Sequence, residues 1–300
     1  PVWWGMGVVA HALAHLVCPA CATTSLRHRR PSPHSIMRSH TVPLAVALLA
    51  AAGANALRHE HMSNHAHCLQ HVWNQKLRKH AELVNGRTQL LAASSERFME
   101  PRTAYDAFEP TYTCHSEWRT GAMFGDGGKF VCGDPDFFRA RDCLAYSVGS
   151  NGDPSFEADV VKRFGCELHT FDPTGDSAMF ADVVTKAGAH FHPWGVGNTG
   201  TKIHNAVTGH DNELLSLHDI VQRLGHAGRH IDILKVDCEG CEWDAFAALW
   251  LTGDGSVSIG QIQVELHLHD FDKIRTFFAA AEEAGYMIFH KERNQWGCDG

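Results

Sequence analysis

The stretch from Cys143 to Thr174, CLAYSVGSNGDPSFEADVVKRFGCELHTFDPT, decides the fold. It opens on the apolar run Leu144-Ala145-Tyr146-Ser147-Val148 and turns at Gly149-Ser150-Asn151-Gly152. The spacing predicts a helix from about Pro154 to Phe164, then a second strand from Glu167 to Phe171 that ends at Asp172. Strand, glycine-bearing turn, helix, strand and acid is the order of a nucleotide-binding βαβ unit. Chemistry accounts for that order. Glycines at 149 and 152 would let backbone approach a ligand with no Cβ in the way, and the helix start would offer unpaired N–H groups. A carboxylate at the end of the second strand can take both hydroxyls of a ribose. The turn is not GxGxxG, because Asp153 follows Gly152. Asp153 reads as the helix N-cap, with Pro154 at the first helical position. An acidic cap suits a positively charged cofactor better than a pyrophosphate. Without a ligand, the same turn is an ordinary connection in any doubly wound protein.

Toward the C-terminus, strands and helices alternate. Residues 189–197, AHFHPWGVG, read as a third strand running into a turn, and 198–212 as a connecting loop. Leu214, Leu217, Ile220, Val221 and Leu224 have helical spacing and stop at Gly225. Ile231 to Asp237, IDILKVD, is an apolar strand ending in an acid. A helix from Asp244 to Leu251, a fifth strand from Ile259 to Leu268, an amphipathic helix from Phe271 to Ala284 and a sixth strand from Tyr286 to His290 follow. Such alternation means α/β architecture: a mostly parallel twisted sheet with helices on both faces. Its ligands belong at the strand C-terminal ends, near the topological switch. A seventh, antiparallel strand is expected after the sixth, and its lack would leave an exposed sheet edge.

Toward the N-terminus, no acidic residue precedes Glu60. Met37-Arg38-Ser39-His40, the apolar run Val42 to Ala54 and the ending Ala54-Asn55-Ala56 match a signal peptide. The run is short for a membrane span. Residues 1–56 are therefore read as a leader into the secretory pathway, for a secreted or ER/Golgi-lumenal protein. Membrane association through the apolar segment Val2 to Ala22, and an organelle transit peptide, are the alternatives. Residues 57–104 have a polar helical pattern and read as a stem, and 101–142 are loop-rich.

The 26 basic and 34 acidic residues give a formal charge of −8, which argues against a nucleic-acid partner. The 23 histidines are scattered from His11 to His290. Cys18 and Cys21 have no second ligand pair nearby and do not suggest zinc. Eight cysteines follow Ala56, an even number that permits bridges.

Several ordered motifs carry a resemblance: YSVGSNGDPSFE (146–157), the FDPT ending at Thr174, HFHPWGVG (190–197), LKVDCEGCEW (234–243) and VELHLH (264–269). Over roughly residues 105–300 the chain resembles S-adenosylmethionine-dependent methyltransferase-like domains related to the FkbM-type O-methyltransferases. The resemblance implies a Rossmann-like methyltransferase fold with S-adenosylmethionine as methyl donor. On it, Gly149, Ser150 and Asn151 match the cofactor turn, and Asp172 the ribose-binding acid. Ser147 stands in the cofactor turn's strand where many relatives have an acid. Asp237 and Glu239 match the D-x-E-G at the end of strand four, next to the methyl group. Cys238 and Cys241 fall where small or aliphatic residues are usual, so packing is expected of them rather than a disulfide or a metal. Trp194 is expected to flank the adenine or, equally, to pack in the core.

The sulfonium is already activated, so the protein must align the reactants and exclude water. A hydroxyl acceptor also needs a base, for which Asp237, Glu239 and His267 are the candidates. Glu265, His267 and His269 alternate along one strand and share a face. With Asp237 and Glu239 they could gather a divalent metal, but no metal is assigned. The expected activity is O-methylation of a glycan or small-molecule hydroxyl. Two rivals remain: another nucleotide-binding Rossmann enzyme, disfavoured by the lack of Lys or Arg at 149–153, and a non-catalytic secreted or membrane-tethered domain.

Overall fold

The computed structural model describes residues 3–9, 70–91, 105, 107–124, 127–251, 257–267 and 271–294. In chain order the elements are β1 (Trp3–Val9), α1 (residues 70–91), β2 (Glu117–Thr120), β3 (Lys129–Cys132), α2 (Pro135–Arg139) and β4 (Leu144–Val148). Next come α3 (Ser155–Asp159), which runs into a π-helical turn (Val160–Phe164), β5 (Glu167–Phe171), α4 (Ser177–Lys186), β6 (His190–His192) and β7 (Gly195–Val196). The remainder is β8 (Lys202–Asn205), β9 (His210–Leu215), α5 (Leu217–Arg223), β10 (His230–Val236), α6 (Glu242–Leu251), β11 (Ser258–His267), α7 (Phe271–Glu283) and β12 (Met287–Asn294).

The central sheet has the order β12-β1-β11-β10-β4-β5-β6. The five strands from β11 to β6 are parallel. From β4 the chain steps outward to β5 and β6, then returns to β10 on the other side. The switch point therefore lies between β4 and β10, where an open α/β sheet binds its ligand. All five residues of β4 are buried, as expected of a parallel strand covered on both faces. Alternate side chains serve opposite layers. Leu144, Tyr146 and Val148 join a core with Ile220, Phe246 and Phe278. Ala145 joins a second core with Phe156, Phe164 and Val184.

Three sequence expectations meet differences. β1 lies antiparallel between β11 and β12, so β11 is covered and β12 is the outer strand on that side of the sheet. The expected leader thus contributes a strand at Trp3–Val9; residues 10–56, with the proposed signal peptide, lie outside the described residues. Residues 198–212 are not simply a loop: β8 and β9 form an antiparallel hairpin. Most residues of β8 are exposed, so no apolar alternation marks it. Asn205 supplies the turn, accepting from the N–H groups of Val207 and Thr208 and donating to the carbonyls of Pro173 and Gly175.

The chain divides into two compact units, residues 13–79 and the remainder. Of the first, residues 70–79 are described, as the opening turns of α1. Within the second, His80 is hydrogen-bonded to Thr111 and Arg87 pairs with Glu282. No helix among the described residues is long and apolar enough to cross a membrane.

Two disulfides brace the second unit. Cys114–Cys132 ties an extended segment to β3, and Cys143–Cys166 joins the residues just before β4 and β5. The second bridge spans 23 positions, a loop whose closure stabilises by about 3 kcal/mol through the unfolded chain. The double replacement Cys143→Ser with Cys166→Ser should lower the unfolding free energy by about that amount, measured by denaturant titration against wild type.

Candidate active site

Val148 is in register with Phe171 on one side and with Val236 on the other. Gly149, Asp172 and Asp237 therefore emerge side by side from β4, β5 and β10. They head a cleft of about 550 Å³ whose wall also includes Ser150, Asn151, Asp153, Lys235 and Glu239.

The turn after β4 is set by close backbone approach. Gly149 has φ +78°, and a Cβ there would lie 1.7 Å from the Asp237 carbonyl oxygen. At Gly152 a Cβ would meet the Phe180 ring at 2.6 Å. Both glycines thus make room for the protein's own chain rather than for a ligand. The helix begins one residue later than expected, at Ser155, with Pro154 in the N-cap position; Asp153 stands just before it, its Oδ1 accepting from Ser155 N–H at 2.9 Å.

Asp172 has a different task from the ribose clasp expected of it. Its Oδ2 accepts from the N–H groups of Ser150 and Asn151, and its Oδ1 from the N–H and hydroxyl of Thr174. Four donors use the acceptor capacity of one carboxylate. The group locks the cofactor turn to the end of β5. Ser147 is also not on the cleft wall. It is fully buried beneath it and donates to Glu157 Oε1 at 2.6 Å. Burial pushes the Glu157 carboxyl up, against the opposing pull of Lys235. Trp194 lies outside the lining as well, its ring stacked on His192 at 4.6 Å with the Arg223 guanidinium over it.

Asp237 sits between two lysines. Lys129 Nζ is 3.3 Å and Lys235 Nζ 3.6 Å from its Oδ2. Burial alone would raise this carboxyl, but the two ammonium groups and its hydrogen bonds outweigh that and hold it at about 2. Lys235 also donates to the Gly149 carbonyl, and Lys129 is 2.7 Å from Glu265. The ammonium of Lys129 thus takes the position beside Asp237 and Glu265 that a metal would need. His269 lies outside the described residues.

The segment after Asp237 departs most from expectation. Cys238 and Cys241 form a disulfide, with Cα atoms 5.4 Å apart. Packing was expected of them; the helix expected from Asp244 begins at Glu242, just after the second cysteine. Glu239 has φ +58° and Gly240 φ +110°, a bend that returns the chain on itself and brings the two sulfurs together. Fully buried Glu242 holds the bend: Oε2 accepts from Gly240 N–H, and Oε1 from His267 N–H at 2.9 Å. Oε1 is also 2.8 Å from His267 Nδ1. The opposite ring nitrogen, Nε2, lies 3.4 Å from Glu239 Oε2. Glu239 lines the cleft, and His267 stands behind it.

A family model described as a methyltransferase domain matches residues 59–299. The chain belongs to this methyltransferase family. No curated protein and no solved structure matches it. The matched span contains every site residue named above, so the level strand tips and their cleft are those of a methyltransferase domain. Lys129, Glu157, Lys235 and Glu242 are missing from the sequence reading of this site. Lys235 was within reach of it, since it lies two residues before Asp237 on one strand and so on the same face. Lys129 arrives from a hairpin more than a hundred residues away and leaves no local mark.

Lys129 faces two carboxyl groups in a largely buried setting, and removing one partner of such a set costs about 3–5 kcal/mol. Lys129→Met should destabilise the protein by that amount, read as a fall in the denaturant midpoint with an unchanged slope.

Proposed function

We propose that this methyltransferase domain uses S-adenosylmethionine to methylate a hydroxyl of a glycan or small metabolite. The observation that carries the reading is the charge of the cleft. Asp153, Asp237 and Glu239 line it against Lys235 alone among the described lysines and arginines, and Lys235 is engaged with Asp237 and the Gly149 carbonyl. Such a wall favours a cationic sulfonium nucleoside over a pyrophosphate, which would want unengaged donors at the helix start. The buried Ser150 hydroxyl, on the same wall, has no hydrogen-bond partner among the described residues, and so fits a ligand's polar group.

When bound, S-adenosylmethionine would supply an activated methyl group. What the chain supplies is position and a route for one proton. Asp237, ionised well below neutral pH, places fixed negative charge at the end of β10. Glu239 presents its carboxyl group to the cleft, where an acceptor hydroxyl can donate to it. The Glu242 carboxyl fixes the His267 ring with Nδ1 toward itself, which leaves Nε2 toward Glu239 to share the proton taken from the acceptor. The disulfides belong to an oxidising compartment, which supports passage through the secretory pathway, where glycan hydroxyls are at hand.

Calorimetry with S-adenosylmethionine should show binding that Asp237→Ala abolishes, and calorimetry with NAD should show none; the reverse result overturns the reading. With labelled S-adenosylmethionine and a panel of hydroxyl acceptors, His267→Ala should lower kcat by about 100-fold or more while S-adenosylmethionine affinity stays within about twofold.

A further inference from the structure

At the end of the sheet opposite the cleft, a second group of side chains converges. Glu167 opens β5, His169 follows two residues on, and His226 lies in the loop before β10. Glu167 Oε1 is 3.0 Å from His169 Nε2 and 3.3 Å from His226 Nε2, and one ligand atom from each residue lies within 4.8 Å of the others. We propose that Glu167, His169 and His226 form a binding site for a divalent transition metal, zinc in the first instance, which ties the start of β5 to the chain entering β10.

Three features carry this assignment. The first is donor chemistry. Two imidazoles and a carboxylate are a ligand set suited to zinc, with one position left for water. Bonds of about 2.0–2.1 Å at tetrahedral angles place ligand atoms about 3.3 Å apart, close to the two separations seen.

The second is the shell behind the ligands. Metal-bound imidazole usually donates its other ring nitrogen to an outer partner. Here His226 Nδ1 is 2.8 Å from the Tyr146 hydroxyl, and His169 Nδ1 is 2.9 Å from His192 Nε2. A hydroxyl and an imidazole can each donate or accept. Both rings can therefore adopt the tautomer with Nδ1–H and keep these outer hydrogen bonds, leaving both Nε2 lone pairs for the metal; the one bond given up, His169 Nε2 to Glu167 Oε1, joins two atoms that would then share the metal.

The third is rigidity. Arg229 Nη1 donates to Glu167 Oε2 at 2.9 Å, which turns Oε1 toward the imidazoles. Its positive charge opposes a metal, and Asp142, 3.4 Å from Nη2, offsets part of it. The disulfide at Cys166 anchors the neighbour of Glu167.

With 23 histidines in the chain, total metal content does not discriminate, so the test is spectroscopic and site-directed. The full-length protein is stripped with chelator and titrated with Co²⁺, and the visible ligand-field bands are then displaced by Zn²⁺. Wild type should take up one equivalent with those bands and melt at a higher temperature with Zn²⁺ than without. His226→Ala and Glu167→Gln should each lose at least about tenfold in affinity together with the thermal shift, and Tyr146→Phe should weaken binding by about 10-fold. His204→Ala, at an exposed histidine away from the cluster, should match wild type. Equal titrations for wild type and Glu167→Gln, or a wild-type melting temperature indifferent to Zn²⁺, would overturn the site and leave a metal-free hydrogen-bond cluster.

Discussion

A methyl group at position 149 would stand 1.7 Å from the carbonyl oxygen of Asp237, so the turn after β4 and the end of β10 are in backbone contact. The local geometry follows from this approach. Gly149 and Gly152 have φ near +75°, and Asn151 is also left-handed at +46°, a conformation that costs an ordinary residue about 1 kcal/mol. The turn is held there by polar ties. Asp172 accepts from two of its N–H groups, and the Lys235 ammonium donates to the Gly149 carbonyl. β5, β4 and β10 are thereby joined at their tips by side chains from the outer two strands and backbone from the middle one. A cleft floor built this way is set before any ligand arrives, which is what alignment of a methyl donor asks of a protein.

Charge placement follows from the same joint. With Ser147 on β4 instead of an acid, the carboxyl group near the turn comes from Glu157, one helical segment later, and is hydrogen-bonded to Ser147 itself. It lies below the cleft rather than on its wall. The negative charge facing the cleft comes instead from Asp237, whose low pKa depends on two lysines. Lys235 reaches it from the same strand, and Lys129 from a hairpin stapled by Cys114–Cys132. Burying two lysines with Asp237 and Glu265 carries a desolvation cost that only good geometry recovers. The disulfide, which restrains the hairpin, helps to maintain that geometry.

How much of this was legible in the sequence depends on the reach of each interaction. β5 was readable residue for residue from Glu167–Phe171, because apolar runs bounded by turns are local signals. The cleft's position was readable too, since Asp172 and Asp237 end their strands. The role of Asp172 was not, because the residue type that can hold a ribose can equally hold two backbone N–H groups, and only the fold says which it meets. Trp194 was ambiguous for the same reason and packs on His192. Lys129 and the pairing of β1 depend on contacts across most of the chain, which no window on the sequence contains. Cys238 and Cys241 misled because small or aliphatic residues are usual at these positions, which suggests packing, while the bend that brings the two sulfurs together is set by contacts outside the segment.

That error points to what orients Glu239. A non-glycine residue at φ +58° persists where its surroundings over-determine it. Here they do so three times: by the Cys238–Cys241 bridge across it, by Glu242 accepting from the next N–H, and by His267 beside its carboxyl group. Glu242 serves two of these at once, since it also fixes the His267 ring. The bend and the ring are therefore one device. Had α6 begun at Cys238, position 239 would lie in the first helical turn, Gly240 would lose its contact with Glu242, and the imidazole would lose the neighbour it now faces. The cysteines, placed where small residues would allow that earlier helix, are what keep the acid turned toward the cleft.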